Sequence, residues 1–239
     1  MSTTTTSLSV KIYADGADLA GITLLAEDPT IKGFTTNPTL MRQAGVSDYE
    51  RFAHDVLAVI GDLPISFEVF SDDFDDMEKQ AKRIAAWGRN VFVKIPVGNT
   101  LGESSAHLVR RLADAGVQQN VTALFTLDQT EQVVSCLSEG PAANVSIFAG
   151  RIADAGIDPL PIMTDAVDML FAHPNIELIW ASPREVLNVV QADAVGCHII
   201  TVTHDLLKKL PGLGKDLDLF SLETVQMFRR DAVTAGYSL

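Results

Sequence analysis

The chain has 239 residues, 47% of them hydrophobic and 21% charged, with a formal net charge of −13. That length suits one large domain, and α/β barrels of this size are ordinary. The acidic balance argues against a nucleic-acid partner, which needs a basic face, and against an anionic membrane surface, while leaving room for a small phosphorylated molecule held by one or two local arginines.

After an N-terminal tail over residues 1–10, which opens on a Ser/Thr tract, β-rich runs alternate with amphipathic segments. Residues 11–15 and 33–37 are the first two strand candidates. Segment 48–60 carries Phe52, Val56, Leu57 and Ile60 at helical spacing and leads to a strand at 65–69. Segment 72–87 has acidic residues in its first turns, the favourable end of a helix dipole, and leads to a strand at 91–96. Helix candidate 104–115, with Leu108 and Leu112 on one stripe, precedes strand 120–124, and helix 127–137 precedes strand 144–148. Helix 160–171 precedes strand 176–182, helix 183–190 precedes strand 198–202, and helices 204–210 and 221–235 follow. The strand runs are rich in Val, Ile, Phe and Thr. Several are almost continuously apolar, as parallel strands covered on both faces should be. Eight βα units at ~25–30 residues each predict a (β/α)8 TIM barrel with an additional C-terminal helix, one domain over residues 11–239. An open doubly wound sheet is the competitor, but its Gly-rich phosphate turn is absent.

No apolar run approaches the ~18 residues of a membrane span. The N-terminal tract lacks the basic and apolar regions of a secretory signal. Cys136 and Cys197 stand in apolar surroundings and read as buried thiols of a reducing compartment.

Lys94 is the most informative residue. It interrupts the apolar run Val91-Phe92-Val93-Lys94-Ile95-Pro96, and an ammonium is very rarely buried without a partner. Burial favours a neutral amine, and a neutral amine attacks carbonyl carbon to give a Schiff base. The bland alternative is a strand-end lysine that reaches out to water. Other polar residues fall at the same ends of the candidate strands, where a barrel places its chemistry. They are Asp15, Asn37, Glu68, the pair Asn120 and Thr122 on one strand face, Ser146 and Ser182. Asp15, Asn37 and Ser182 could each simply cap the helix that follows. Glu68 lies in Ser66-Phe67-Glu68-Val69-Phe70, so its carboxylate needs a cation, a water network or a proton, and Lys94 on the adjacent strand is a plausible neighbour. The pair reads as tuned acid–base groups or as a structural ion pair. Histidines 54, 107, 173, 198 and 204 form no metal-ligand spacing. No G-x-S-x-G elbow supports a serine hydrolase.

Four motifs carry a family resemblance: Gly33-Phe34-Thr35-Thr36-Asn37-Pro38, Val93-Lys94-Ile95-Pro96, Asn120-Val121-Thr122-Ala123-Leu124-Phe125 and Ser146-Ile147-Phe148-Ala149-Gly150-Arg151-Ile152. In this order and spacing they resemble the transaldolases, in the short form close to the fructose-6-phosphate aldolase-like branch, from about residue 11 to about residue 210. The resemblance implies a class I mechanism that needs no cofactor and no metal. Lys94 would attack the ketone of a ketose phosphate, Asp15 would accept the C4 hydroxyl proton, and Glu68 with Thr122 and a water would shuttle protons. Asn37 and Asn120 would hold the dihydroxyacetone unit, and Ser146 and Ser182 would line the channel. Arg151 and Arg184 would clamp phosphate, a group guanidinium fits bidentately. The aldolase branch typically has Gln at the position of Glu68 and Tyr at that of Phe148, so Glu68 and Phe148 favour transfer over hydrolysis. An aldolase releasing free dihydroxyacetone, or a barrel that only binds sugar phosphates, are the alternatives. After the seventh strand the family has an aromatic residue where this chain has Pro183, which bears on how Arg184 is placed. The resemblance also implies a cytoplasmic homo-oligomer acting on a ketose donor and an aldose acceptor.

Overall fold

The β-branched runs pair in parallel, each with its neighbours in the chain, and the last closes onto the first. In the computed structural model, which describes residues 8–237, the strands form one closed barrel in sequence order. They are β1 (Lys11–Asp15), β2 (Ile31–Thr35), β3 (Ile65–Glu68), β4 (Val91–Pro96), β5 (Gln119–Leu124), β6 (Ala143–Ile147), β7 (Ile176–Trp180) and β8 (Ile199–Thr203). The helices are α1 (Leu19–Ala26), α2 (Pro38–Gln43), α3 (Tyr49–Ile60), α4 (Phe74–Ala85), α5 (Ala106–Asp114), α6 (Leu127–Leu137), α7 (Ala149–Asp154), α8 (Leu160–Leu170), α9 (Leu187–Ala194), α10 (His204–Leu207) and α11 (Leu217–Thr234). This is the expected (β/α)8 barrel.

Local chemistry sets the boundaries. Asp18, Asn37, Asp48, Asp73, Thr126 and Asp216 each cap a helix by accepting from a backbone N–H in its first turn. Each such cap stabilises its helix by about 1 kcal/mol. Strand β2 stops two residues short of Asn37, because Pro38 opens α2 with its preset φ and Asn37 caps it. Strand β7 ends at Trp180, not Ser182. The helix expected at 183–190 begins only at Leu187, because Asn188 Oδ1 accepts from the N–H groups of Arg184 and Glu185 and holds that stretch as a turn. The segment expected as one helix over 204–210 breaks after Leu207 and continues as a single 3₁₀ turn around Pro211. The final helix starts at Leu217, not 221, because Asp216 caps it through the N–H of Leu219. Helix α7 is an addition to the sequence reading, and α1 and α2, expected there only as helices following Asp15 and Asn37, now have bounds. Two of the three are six residues long, too short to show a period, and α1 is apolar almost throughout.

A large hydrophobic cluster joins the outward faces of the strands to the helices. A smaller one, Tyr13, Ile179, Ala181 and Ile199 with Phe148, lies on the side of β1, β7 and β8. At the N-terminal end of the barrel a cavity of about 460 Å³ is lined by Lys11, Lys32, Asp62, Arg89 and Glu177, among others. Its charges are largely paired, with Lys11–Glu177 at 2.5 Å and Arg89–Asp62 at 2.6 Å. Of the expected tail, residues 1–7 lie outside the described residues. Val10 is buried, and the N–H groups of Ser9 and Val10 donate to Asp193 Oδ1 at 2.6 and 2.9 Å. Helix α11 buries none of its residues, although Leu219, Phe220, Leu222, Val225 and Phe228 are large and apolar. Among the described residues no helix is long and apolar enough to cross a membrane.

Candidate active site

The site is built at the C-terminal ends of the strands. Lys94 on β4 is only 8% exposed, which rules out the reading of a lysine reaching into water. Its Nζ donates to the main-chain carbonyl of Thr36 at 3.0 Å and lies 3.6 Å from Glu68 Oε2. The β3–β4 ladder makes the second contact unavoidable, since it places Glu68 directly opposite Lys94.

Asp15 ends β1. It does not cap α1, because Asp18 does that. Its carboxylate is held from β2 and the turn after it: Thr35 Oγ1 donates to Oδ1 at 2.8 Å and Asn37 Nδ2 donates to Oδ2 at 3.4 Å. Thr35 is hydrogen-bonded in turn to Thr201 on β8. Asn37 therefore does two things, since its Oδ1 also caps α2. Burial pushes Asp15 above the usual carboxylate range, and the Lys94 ammonium with the Thr35 and Asn37 hydrogen bonds pulls it back only in part. Burial also raises Glu68. Lys94 lowers it, and the Asp15 charge raises it further.

Beside Lys94, β5 contributes Asn120, its ladder partner, and Thr122. Asn120 is 0% exposed and fixed at both ends of its amide. Its Nδ2 donates to Ser66 Oγ at 2.9 Å, and its Oδ1 accepts from Ser146 Oγ at 2.7 Å. Thr122 Oγ1 is buried with no hydrogen-bond partner among the described residues. Leaving such a hydroxyl unmatched costs about 1–3 kcal/mol, which makes it a ready seat for a water or a substrate hydroxyl. Next to it Ala123 has φ 63° and the β5–β6 register shifts, so the strand kinks at its mouth end.

The β6–β7 side forms the rim. Arg151 Cζ lies 5.2 Å from the centre of the Phe148 ring, a cation–π contact, and Phe148 packs on Phe125 at 5.8 Å. Arg184 is bound by Asp154, Nε to Oδ1 at 3.0 Å and Nη2 to Oδ2 at 2.5 Å. Among the described residues Arg151 forms no ion pair within 4.0 Å, so of the two expected clamps it alone offers an unclaimed guanidinium. Ser182 is held in left-handed backbone at φ 62°. Its carbonyl meets the first turn of α7 so closely that a Cβ built on Gly150 would fall 1.6 Å from it. Only glycine fits there, which explains the Ala149-Gly150-Arg151 sequence.

Direct contacts thus join Asp15 to Asn37, Glu68 to Lys94 and Asn120 to Ser146, and the ladder sets Lys94 between Glu68 and Asn120, with Thr122 on β5. Phe148, Arg151, Ser182 and Arg184 belong to the rim. Thr35, Thr36, Ser66 and Thr201 are buried members that the sequence reading did not single out. Ser66 sits two residues before Glu68, hence on the same strand face, and that spacing was the signal available. Among the described residues no group of three or more His, Cys, Asp or Glu is placed to hold a metal ion.

The sequence profile described as transaldolase/fructose-6-phosphate aldolase matches residues 12–238. A protein of Dehalococcoides mccartyi named a probable transaldolase is 32% identical over 202 residues, 84% of this chain and 90% of that one. A protein of the same name from Shouchella clausii is 33% identical over 204 residues, covering 85% and 90%. Among solved structures, N-acetylneuraminate lyase from Mycoplasma synoviae superposes with a TM-score of 0.55 at 9% identity, over 94% of this chain and 79% of that one, a likeness of fold alone. A buried lysine on the fourth strand of a closed barrel, facing a carboxylate on the third, goes with a profile match along nearly the whole chain: the protein belongs to the transaldolase/fructose-6-phosphate aldolase family.

Proposed function

We propose that the chain is a transaldolase that moves a dihydroxyacetone unit from a ketose phosphate to an aldose phosphate through a Schiff base on Lys94. The observation that carries this reading is the sequestered Lys94 amine, set between the Thr36 carbonyl and Glu68. Lys94 first gives a proton to Glu68, 3.6 Å away, and the freed nitrogen then adds to the donor's C2 carbonyl. The former carbonyl oxygen leaves as water once protonated, with Glu68 handling the protons through a water seated on Thr122. Asp15 then takes the C4 hydroxyl proton as the C3–C4 bond breaks, and that electron pair passes into the iminium to give an enamine. The aldose phosphate departs. An acceptor aldehyde enters, the enamine carbon attacks it, and Asp15 returns the proton to the new hydroxyl. Hydrolysis of the resulting iminium frees the product. The iminium is the electron sink throughout, so the chemistry needs no cofactor. Arg151 supplies the charge for the substrate phosphate.

Transfer is favoured over simple aldol cleavage by Phe148. A phenyl ring neither donates nor accepts a hydrogen bond, so this position holds no water against the enamine. The test is incubation with fructose 6-phosphate, borohydride reduction and peptide mass spectrometry, beside an assay for free dihydroxyacetone with and without an aldose phosphate. The expected result is a reduced adduct on Lys94, with turnover only when an acceptor is present. Steady release of dihydroxyacetone without acceptor would make it an aldolase. No adduct on any lysine would leave a binding barrel.

We also infer that α11 pairs with a second copy of the chain. It is an 18-residue helix with no buried residue. Helix α1 likewise buries only Ile22 of Leu-Ala-Gly-Ile-Thr-Leu-Leu-Ala, with Leu24 exposed. One chain therefore carries an uncovered helix, α11, and an exposed apolar edge on α1 at Leu24, and exchange between copies covers α11. Light scattering should give a multiple of the 25.8 kDa chain mass. The double variant Leu222→Glu, Phe228→Glu should bring it down to one chain. A wild-type monomer at micromolar concentration would reject the pairing.

A further inference from the structure

The mechanism engages Asp15 from the β2 side; on the β8 side of it stands His204. Strand β8 ends at Thr203, the ladder partner of Asp15, and His204 follows at once as the first residue of α10. Its ring is driven into a slot between the turn leaving β1 and the start of α1. A Cβ built on Gly16 would lie 2.7 Å from His204 Nε2, and one built on Gly21 would lie 2.7 Å from Cε1 and 2.9 Å from Nδ1. Hydrogen is all that fits at either position. Both glycines have ordinary backbone, since neither is at positive φ. Gly21 also sits inside α1, where glycine weakens a helix relative to alanine. What excludes a side chain is the imidazole at Gly16, and the imidazole together with Asp18 Oδ2 at Gly21, not the backbone. Within the slot Nε2 is buried with no hydrogen-bond partner among the described residues.

We propose that His204 is the positioning residue of Asp15: its ring, locked between two glycines, sets the turn that leaves β1 and with it the aim of the carboxylate at the end of that strand. The charged groups around the ring are few. Asp15 ends β1. Asp18 caps α1, and its Oδ2 lies 2.9 Å from the same built Cβ on Gly21. On the histidine's own helix Asp205 is paired with Lys208 at 3.2 Å and is exposed. His204 exchanges no proton with the substrate. It keeps Asp15 aimed for the cleavage step.

This assignment builds on the reading of Asp15 as the proton acceptor. The test compares wild type, His204→Gln and Gly21→Ala as full-length proteins. Each is assayed for transfer from fructose 6-phosphate to an aldose phosphate over about pH 5 to 9 and for borohydride trapping at Lys94. In both variants trapping should persist, and KM for the donor should stay within about two-fold while kcat falls about ten-fold. The fall in kcat should come without a matching loss of adduct, because imine formation does not use Asp15. Gly21→Ala keeps the imidazole and displaces it, so it should reproduce the fall in kcat. Unchanged kcat in both variants beside a trapped wild type sinks the His204 assignment alone. Trapping lost in proportion to kcat sinks it too, by making His204 a general support of the barrel. An untrapped wild type sinks the Schiff-base reading and this assignment with it.

Discussion

Lys94→Met loses transfer activity by about 10⁴-fold or more and forms no borohydride-reducible adduct with any ketose phosphate. A nucleophile that forms the covalent intermediate cannot be bypassed, and losses of this size follow its removal. Methionine nearly matches the lysine stem in length and suits the apolar walls, so the barrel stays folded. Lys94→Arg serves as the control for charge. Guanidinium stays protonated and cannot form the imine, so it is as inactive as the methionine variant. The two variants differ at Glu68, which burial already raises and Lys94 lowers. With methionine at position 94 that carboxyl loses its cation and takes up a proton at higher pH than in wild type. Infrared or NMR titration of the side chain checks that shift, and kinetics with mass spectrometry check the rest. Appreciable turnover by Lys94→Met would remove the lysine from the mechanism.

Asp15→Asn is the second large effect, and it separates the steps. Borohydride trapping at Lys94 continues, because imine formation does not use Asp15. Cleavage and transfer fall by about 10²–10⁴-fold, the range for loss of a positioned general base. The pH dependence has a definite sign. Asp15 works as the carboxylate, and burial raises its pKa in spite of Lys94 and the two hydrogen bonds. The kcat of wild type therefore climbs with pH on its acidic side, with a midpoint above the ordinary carboxylate range. Stability runs the opposite way. The folded state binds the Asp15 and Glu68 protons more tightly than the unfolded chain does, so their contribution is full below the ordinary range and is lost as pH rises through the raised values. In Asp15→Asn this decline is shallower. Thermal melts across pH measure it, and a variant that melts like wild type at every pH would contradict the raised value.

The long-range plan of the barrel was legible because parallel strands covered on both faces must be apolar and β-branched, and because the longer helices show an amphipathic stripe. Short elements left no such trace, so α7 went unread and α2 was expected only through its cap, Asn37. In the site, Lys94 and Glu68 stood out because charge inside an apolar run is costly, and Asn120 with Thr122 stood out through two-residue spacing. Thr35, Ser66 and Thr201 did not, since small hydroxyl residues are ordinary in strands and their partners lie on other strands. The hold of Asp154 on Arg184 crosses 30 positions of sequence, and no local pattern announces it. The glycines at 16 and 21 look like turn and helix residues until the ring of His204 is placed between them.

The partner of the Lys94 amine is the main-chain oxygen of Thr36, which every amino acid carries. No exchange of side chain at position 36 can delete that oxygen. Only a change that redirects the peptide plane can do so, and the proline two positions on resists it. The nucleophile's anchor is in this sense inherited with the path of the chain and leaves no letter behind. An exchange at residue 36 would keep that oxygen and forfeit only the buried bond from Thr36 Oγ1 to the Ser66 carbonyl at 3.0 Å.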